Sequence, residues 1–505
     1  MNRRRGLAIA VLVAGVGIAM FGGQDRPASL QAGPTQAVSD DPQQAINVNT
    51  SPVIVADPRR PGTLVVASRV DAPHLQCHVS ASTTGGEAWR RLDLPLAPGA
   101  DNCFWPDLAF DPDGNLLVLY TPTGGPFNLP TGLWLQRFTT ELAPDGPPVR
   151  VSGPLTFEPR LAVEGRRVVA AWIQAGEERA TKPLGFGPPP NPLVVARSDD
   201  GGRTFARPVT VSEPSRLAVQ PALVAGPGGR VVVGALDLGN DLVTYQTSHE
   251  GQPGPPPPGP WRVVAWTSAD GGATFGPPAT VADGIQATQR VLIDLAPAPA
   301  FALDSARGRL YATWESGADV VLSRSDDAGH AWSPPTRLGP AAGAQFLPGL
   351  GVAPDGRVDV AFYDRSHDPD DILAQMVVAS STDGGATFTS ATVSDHPFDS
   401  IVGSFNGDNV MLGSHLAVAS LPGSVTVVWP DTGRGNRVNN IVDLLGVTVA
   451  VHAGQGRRLP VAVLGGVLAM LGAVLTARPW PGREAGRGRS PAPRRGASPP
   501  PTRRG

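Results

Sequence analysis

The stretch SDDGGRTF, Ser198 to Phe205, decides the fold because it returns along the chain. Further copies are SADGGATF, SDDAGHAW and STDGGATF, which begin at Ser268, Ser325 and Ser381. These three serines lie 57 and 56 residues apart, and a fixed period of this length predicts a repeat architecture. A weaker copy, STTGGEAW, has Thr84 in place of the aspartate.

The repeated positions are a serine, an aspartate, a glycine and an aromatic residue. We call each such set an acidic corner. The four corners are Ser198, Asp200, Gly202 and Phe205; Ser268, Asp270, Gly272 and Phe275; Ser325, Asp327, Gly329 and Trp332; and Ser381, Asp383, Gly385 and Phe388.

The sequence around each corner predicts four short strands per repeat. Apolar runs flank the corners, and upstream hairpins such as PGLGVAPDGRVDVAFY, residues 348–363, carry turn dipeptides between alternating apolar residues. Four strands make one blade of an all-β propeller. We count seven units, with six as the alternative, and expect Ala45–Asn49 to add the missing strand of the last blade. The units begin near Ser51, Trp105, Glu158, Gln220, Ala296, Leu347 and Ser414.

We expect the acidic corners to be structural. A glycine supplies the positive φ of the turn, and the aspartate can accept backbone N–H bonds across it. Catalysis requires side chains that converge on one place, whereas these copies would be distributed around a ring. His330 occupies a position that varies between the copies, so we interpret it as a solvated turn residue.

Ser-x-Asp-x-Gly-x-x-(Phe/Trp) resembles the Asp box of sialidases and related BNR-repeat propellers. The resemblance extends over roughly residues 45 to 451 and implies a sialidase-like β-propeller. It carries less information about activity, because functions differ widely among proteins of one fold.

Charge argues against a nucleic-acid partner. The 505 residues have a net charge of −3, but setting aside eleven terminal arginines and Glu484 leaves 30 basic and 43 acidic residues, a balance of −13. An acidic body binds the phosphate backbone poorly. Lys182 is the only lysine, a bias typical of a GC-rich bacterial genome.

Two apolar segments predict a membrane location. Residues 1–23 are typical of a signal peptide or an uncleaved signal anchor. Residues 459–477 are uncharged and long enough to span a bilayer as a helix. The basic tail 478–505 then lies disordered in the cytoplasm by the positive-inside rule. We therefore expect a single-pass cell-membrane protein with an extracellular propeller, and linkers at 24–44 and 452–458.

Cys77 and Cys103 are the only cysteines. In an exported protein such a pair indicates a disulfide. The alternative is two unpaired cysteines in the core.

Candidate site residues follow from the position of a ligand in a propeller, at the mouth of the central channel. Loops that enter the first strand and leave the second strand of each blade line this mouth. Carboxylates, arginines and aromatic residues at these positions suit a sugar or an anion. The set that we expect to bind ligand is Arg69, Trp105, Arg160, Asp364 and Arg365.

The sialidase resemblance implies three arginines on a substrate carboxylate, a tyrosine nucleophile with a glutamate partner, and an aspartate acid/base. Tyr363, Glu158 and Asp107 are the corresponding candidates here, and Arg69, Arg160 and Arg365 are the candidate triad. The Phe/Tyr-Arg-Ile-Pro motif that normally supplies the first arginine is absent, and INVNTSPVIV stands in its place.

Two functional hypotheses remain at this point. The first is a surface-anchored propeller that binds a glycan or a cell-envelope protein without catalysis. The second is an exo-α-sialidase or related exo-glycosidase acting on extracellular glycans. We expect no cofactor and no catalytic metal, although the acidic stretch YDRSHDPDD, residues 363–371, could hold a structural calcium ion.

Overall fold

A computed structural model shows a seven-bladed, all-β propeller within the compact unit Pro27–Gly454. It describes residues 28–39, 48–72, 74–125, 128–176, 190–239, 261–285, 298–340, 342–400, 404–406, 409–435 and 441–452. The predicted segments 1–23, 459–477 and 478–505 lie outside these residues, and so does the predicted linker 452–458 apart from His452, which ends a strand. No helix within the described ranges is long and apolar enough to cross a membrane.

Each blade is a sheet of four antiparallel strands, which in blades 1 to 6 follow one another in chain order from the channel outward. Blades 1 to 4 are Val48–Ala56, Leu64–Ala72, Gln76–Ser82 and Arg90–Arg91; Phe104–Phe110, Leu116–Thr121, Leu133–Phe138 and Val149–Ser152; Thr156–Glu164, Arg167–Gln174, Leu193–Ser198 and Val209–Thr210; and Ala218–Gly226, Arg230–Asp237, Trp261–Ser268 and Ala279–Ile285.

Blades 5 to 7 follow the same plan. Their strands are Ala300–Asp304, Arg309–Ser316, Asp319–Ser325 and Thr336–Arg337; Gln345–Val352, Val358–Asp364, Leu373–Ser381 and Thr389–Thr392; and Ala417–Leu421, Ser424–Asp431, Asp443–His452 and Ser29–Ala32. Smaller elements are Gln36–Ala37, Thr123–Gly124, Leu129–Pro130, Phe398–Asp399, Ser404–Asn406, Asn409–Met411 and the 3₁₀ turn Pro227–Gly229.

The N-terminal part of the chain closes the ring, but through an earlier segment than expected. Ser29–Ala32 pairs antiparallel with the third strand of blade 7, with Ser29 opposite His452. Val48 and Asn49, which we expected in that role, begin the innermost strand of blade 1. The closing strand therefore comes from the segment predicted to be a linker, and its pairing covers a sheet edge that would otherwise be exposed.

Hydrophobic cores lie between neighbouring blades. One cluster joins Val65 and Ala67 of blade 1 to Leu116 and Val118 of blade 2, all with no exposed surface. Alternate residues of the second and third strands of each blade supply most of these contacts, as the period of two in a strand requires.

The acidic corners join the third and fourth strands of blades 3 to 6. In blade 3, Ser198 Oγ donates to Asp200 Oδ1 at 2.7 Å and accepts the N–H of Gly202 at 2.8 Å. Asp200 also accepts the N–H and the hydroxyl of Thr204. The other corners repeat the serine–aspartate and serine–glycine bonds at 2.7 to 3.0 Å. The motif is therefore a self-contained turn, and its copies lie in four different blades.

The corners also fasten each blade to the one before it. Arg197 of blade 3 donates to the Asp270 carbonyl in the corner of blade 4, at 3.0 Å. Arg324 of blade 5 makes the same bond to Gly384 of blade 6, at 3.1 Å. The residue just before one corner serine thus reaches the corner of the next blade, which the sequence analysis did not anticipate.

Candidate functional site

The channel mouth is built by one position repeated at the start of each innermost strand, which we call the mouth ring. Its members are Ser51, Trp105, Glu158, Gln220, Ala298, Leu347 and, by strand register, His415. Proline follows the first six members, and Leu416 follows His415. This X-Pro dipeptide, present in six of the seven blades, is a sequence signal for the mouth that the sequence analysis missed.

The backbone at the mouth ring is unusual in five blades. Ser51, Trp105, Glu158, Gln220 and Leu347 have φ between 46° and 53° although none is glycine. Strand register shifts at the same point in each of these blades. A bulge of this kind re-aims a side chain and frees backbone groups from the ladder.

Side chains of neighbouring blades satisfy some of these freed groups. Glu158 Oε2 accepts the N–H of Gln220 at 2.8 Å, and Glu315 Oε1 accepts the N–H of Leu347 at 2.8 Å. Glu158, proposed above as the partner of a nucleophile, therefore first serves to join blades 3 and 4.

A charged pair lies beside the ring in blade 1. Arg69 is ion-paired with Asp71 at 2.9 Å, and Arg69 Nε donates to Thr50 Oγ1 at 2.8 Å. Its guanidinium lies over the Phe104 ring of blade 2, 5.0 Å from the centroid. Arg69 is nearly buried, so these contacts fix it in place.

Arg160 spans the channel. It lies two residues beyond Glu158 in blade 3, and its Nε donates to the Pro221 carbonyl of blade 4 at 2.9 Å. Its Nη2 lies 3.3 Å from His415 Nδ1 of blade 7. Because blades 3 and 7 are not neighbours in the ring, this contact crosses the central axis.

The contacts of His415 determine its tautomer. A guanidinium can only donate, so Nδ1 accepts from Arg160 and the neutral imidazole carries its proton on Nε2. Ser414 Oγ lies 2.9 Å from the same Nδ1. Burial lowers the pKa of His415 well below its ordinary value, and Arg160 and Arg69 lower it further. Nε2 is buried and has no hydrogen-bond partner among the described residues.

Two carboxylates complete the polar part of the mouth. Asp107 Oδ2 accepts the N–H of Leu161 at 2.7 Å, which joins blades 2 and 3. Burial raises the pKa of Asp107, while Arg160 and the N–H groups of Leu161 and Leu108 oppose the rise. Burial likewise raises the pKa of Glu158, opposed by the Gln220 N–H, Arg160 and Arg69.

Trp105 provides an aromatic surface in the ring. It is half-buried and packs edge-on against Phe104 and Phe157, with centroids 4.6 and 5.7 Å away. The structure thus brings five of the predicted residues together at the mouth. They are Arg69, Trp105, Asp107, Glu158 and Arg160.

Tyr363, the predicted nucleophile, is packed between blades 6 and 7. It is fully buried and packs against Phe346 and Phe398. Its hydroxyl donates to the Pro430 carbonyl of blade 7 at 2.7 Å. Burial, with the nearby Asp431 carboxylate, raises the pKa of Tyr363 well above its ordinary value. A phenol held in this way is poorly placed to attack a ligand in the channel.

Arg365 and Asp364 are also engaged in the loops of blade 6. Arg365 is nearly buried, donates to Ser400 Oγ at 2.7 and 2.9 Å and lies over the Phe346 ring. Asp364 accepts from the Gln345 amide and from the N–H and hydroxyl of Ser366. Arg365 is therefore held within blade 6 by Ser400 and Phe346.

The acidic stretch 363–371 folds as local turns. Asp368 accepts the N–H groups of Ile372 and Leu373 at 2.7 Å each, and Asp371 accepts the N–H of Ala344 at 3.0 Å. Among the described residues, no cluster of three or more histidine, cysteine or acidic side chains could hold a metal ion.

A disulfide lies beside the mouth. Cys77 is bonded to Cys103, and the strand register places Cys77 opposite Arg69. Cys103 precedes Trp105 by two residues, so the bond ties the segment carrying the tryptophan to blade 1.

Comparisons with known proteins concern the fold. No family model and no curated protein matches this sequence. Similar solved structures include sialidases and other propeller enzymes that act on glycans. A protein of unknown function from Dyadobacter fermentans is 12% identical with a TM-score of 0.46, over 84% of this chain and 99% of that one.

Two further structures are named for their activities. The Hadza microbial sialidase Hz136 is 16% identical with a TM-score of 0.41, over 77% of this chain and 73% of that one. A PL25 ulvan lyase is 12% identical with a TM-score of 0.46, over 82% and 96%. Likeness at this level reflects a shared propeller architecture alone.

Proposed function

We propose that this protein binds glycans at the channel mouth and does not hydrolyse them through Tyr363. The observation that carries the proposal is the convergence of Arg69, Trp105, Glu158, Arg160 and His415 from four blades. An indole surrounded by fixed donors and acceptors is suited to a sugar, whose C–H face packs on the ring while its hydroxyls exchange hydrogen bonds.

The charge balance favours a neutral, hydroxyl-rich saccharide. Arg69 is already paired with Asp71, and Glu158 and Asp107 lie within electrostatic reach of Arg160. The buried imidazole is neutral, as derived above. Three carboxyl groups therefore outnumber two guanidiniums, and an anionic ligand would have to compete with them.

The alternative, an exo-α-sialidase, is less well supported. Its clamp would require Arg365 beside Arg69 and Arg160, and its nucleophile would require an accessible Tyr363. Both side chains are engaged in other contacts of blade 6 and blade 7. Binding of a glycan without hydrolysis requires neither an arginine clamp that includes Arg365 nor an accessible Tyr363.

We also propose that the binding takes place at the cell surface. The two apolar segments at residues 1–23 and 459–477 support this location. The Cys77–Cys103 bond supports it independently, because disulfides persist in oxidising compartments.

A glycan array with the full-length protein in detergent micelles tests the proposal. The strongest neutral glycan is then titrated into the parent and into Trp105→Ala. We expect the variant to bind about tenfold more weakly or worse, a loss of about 1.4 kcal/mol or more.

Trp332→Ala is the matched control. Trp332 is another half-buried indole, but it belongs to the acidic corner of blade 5, at the end of the strands opposite the mouth. Equal affinity in the parent and in Trp105→Ala would contradict the proposed site.

A further inference from the structure

A second cavity lies on blade 4, and we call it the blade 4 groove. Its volume is about 280 Å³. It is lined by the exposed Pro277 and Pro278, by the nearly buried Trp266, and by Arg216, Asp237 and Arg262, which we call its floor. The groove lies where the second strand of the blade ends and the third begins, since Asp237 pairs with Arg262 in the sheet.

Among the described residues of the floor, two guanidiniums lie against a single carboxylate. Arg216 donates to both oxygens of Asp237, with Nη2 to Oδ2 at 2.7 Å. Arg262 Nη2 donates to the same Oδ2 at 2.5 Å. Two guanidiniums therefore share one carboxylate.

Neutralising the buried Asp237 carboxylate requires only one of these two arginines. Asp237 is buried and also accepts the N–H of Gly239 at 2.9 Å, so it needs a cationic partner. Arg216 alone supplies that partner in bidentate form, the strongest geometry for such a pair. Arg262 adds a second cation, and both guanidiniums keep about a third of their surface exposed, 35% and 33%.

Among the described residues that line the groove, Glu213 is the carboxylate besides Asp237. Glu213 is exposed, and its Oε1 accepts from Ser215 Oγ at 2.7 Å. No ion pair joins it to Arg216 or Arg262 among the described residues. Water screens a carboxylate at this exposure, so it lowers the positive potential of the floor only in part.

We propose that the blade 4 groove binds one acidic sugar residue, with its carboxylate or sulfate on Arg262 and Arg216 and its ring against the exposed Pro277 and Pro278. The volume is close to the lower end of ligand pockets, which run from about 300 to 1,000 Å³, and so suits a single saccharide unit. The planar forks of two arginines match the geometry of carboxylate and sulfate oxygens. This site is separate from the neutral-glycan site proposed at the mouth.

Calorimetric titration of the full-length protein in detergent micelles tests the assignment. The probes are D-glucuronate, D-glucose 6-sulfate and D-glucose, so that carboxylate, sulfate and neutral sugars are compared. We expect one or both acidic sugars to bind and D-glucose to bind at least about tenfold more weakly. Arg262→Gln should lower the affinity for the acidic sugar by about tenfold or more, while Arg216 still pairs with Asp237.

Arg337→Gln is the matched control, because Arg337 is an ion-paired arginine of blade 5 with a similar exposure of 39%. It should leave the affinity unchanged. Equal binding of D-glucose and the acidic sugars, no binding of either acidic sugar, or an Arg262→Gln variant with parental affinity would each overturn the assignment.

Glu213→Gln provides a second test that does not disturb the floor. Removing an exposed negative charge from the rim should raise the affinity for the acidic sugar by about threefold at low salt. An unchanged or lowered affinity in Glu213→Gln would count against the groove. Trp105→Ala should not alter this binding, so failure here is distinguishable from failure of the mouth proposal.

Discussion

Replacing both cysteines with serine should weaken the fold by an amount that follows from the loop they close. Cys77 and Cys103 are separated by 26 residues. The chain-entropy relation for a loop of this size gives a stabilisation of about 3.5 kcal/mol at 25 °C. The bond joins two blades rather than two parts of one strand pair, so its loss also frees the segment that carries Trp105.

The size of the propeller converts this energy into a modest thermal shift. An unfolding entropy of roughly 2.1 cal/mol/K per residue, over about 400 residues, amounts to about 0.8 kcal/mol/K. We therefore expect the midpoint of thermal unfolding to fall by about 4 °C.

Differential scanning calorimetry on the parent, on Cys77→Ser/Cys103→Ser and on the reduced parent measures the shift. The reduced parent and the double variant should have the same midpoint, because both lack only the covalent bond. Without the disulfide, the affinity for glycan at the mouth should also fall, because only non-covalent packing then holds Trp105 in position.

A midpoint within about 1 °C of the parent would refute the entropic argument. A reduced parent that melts differently from the double variant would show that the serines, rather than the lost bond, cause the effect. Retained affinity together with lowered stability would mean that the disulfide does not position Trp105.

Three further predictions concern the stability of the propeller. Tyr363→Phe leaves a buried carbonyl of blade 7 without its donor, so denaturant unfolding should show a loss of about 1–2 kcal/mol with glycan binding unchanged. Gly202→Ala places a Cβ 2.5 Å from Leu135 Cδ2 at a φ of 83°, so the same assay should show a loss of at least about 2 kcal/mol. Burial acts to raise the pKa of Asp383, but the hydroxyl and N–H of Thr387, with Ser381, lower it to about 2. Its stabilisation is complete above an unfolded pKa of about 3.9 and is lost as the pH falls towards 2, so Asp383→Asn should flatten the stability profile in that range.

Control measurements distinguish these effects from a non-specific loss of stability. Gly423→Ala has a similar φ of 72° but no atom within 4 Å of the new Cβ, so it should cost less than Gly202→Ala. Equal losses would show that blade packing at the corner is unimportant. Hydrolysis of a fluorogenic sialoside by the parent, abolished in Tyr363→Phe, would contradict the binding function. An acid transition in Asp383→Asn identical to that of the parent would contradict the role of its carboxylate.

The repeat could be read from sequence because each corner is complete within eight residues. Ser198, Asp200 and Gly202 make their bonds to one another, so the motif needs no knowledge of distant contacts. The period of the copies then predicts one blade each, and the structure confirms seven. The fold was therefore accessible from local chemistry.

The position of Tyr363 could not be predicted from local sequence in the same way. Strand register puts it in the position that Arg69 occupies in blade 1, opposite the residue before the mouth ring. At this position Arg69 lies over Phe104 of the next blade, and Tyr363 bonds to Pro430 of the next blade. These side chains are directed between blades, and a bulge in the facing strand makes that direction hard to infer from alternation alone.

The closing strand was misplaced for a related reason. Ser29–Ala32 and Ala45–Asn49 are both short segments with strand-like alternation, and neither carries a corner. Choosing between them requires the register of the final strand, in which Ser29 lies opposite His452. Such long-range pairing is set by the whole ring rather than by local sequence.

Differences between the blades themselves support the mouth as the functional region. The corners keep the same serine, aspartate and glycine in blades 3 to 6, because their turn requires them. The mouth ring keeps its backbone conformation in five blades but carries serine, tryptophan, glutamate, glutamine and leucine there. The same backbone conformation at this position therefore accommodates five different side chains, unlike the turn at the corners. Trp105, Glu158 and His415 of the ring come from blades 2, 3 and 7, and Arg69 lies beside the ring in blade 1, so a ligand would meet one polar side of the mouth and could bind in one orientation.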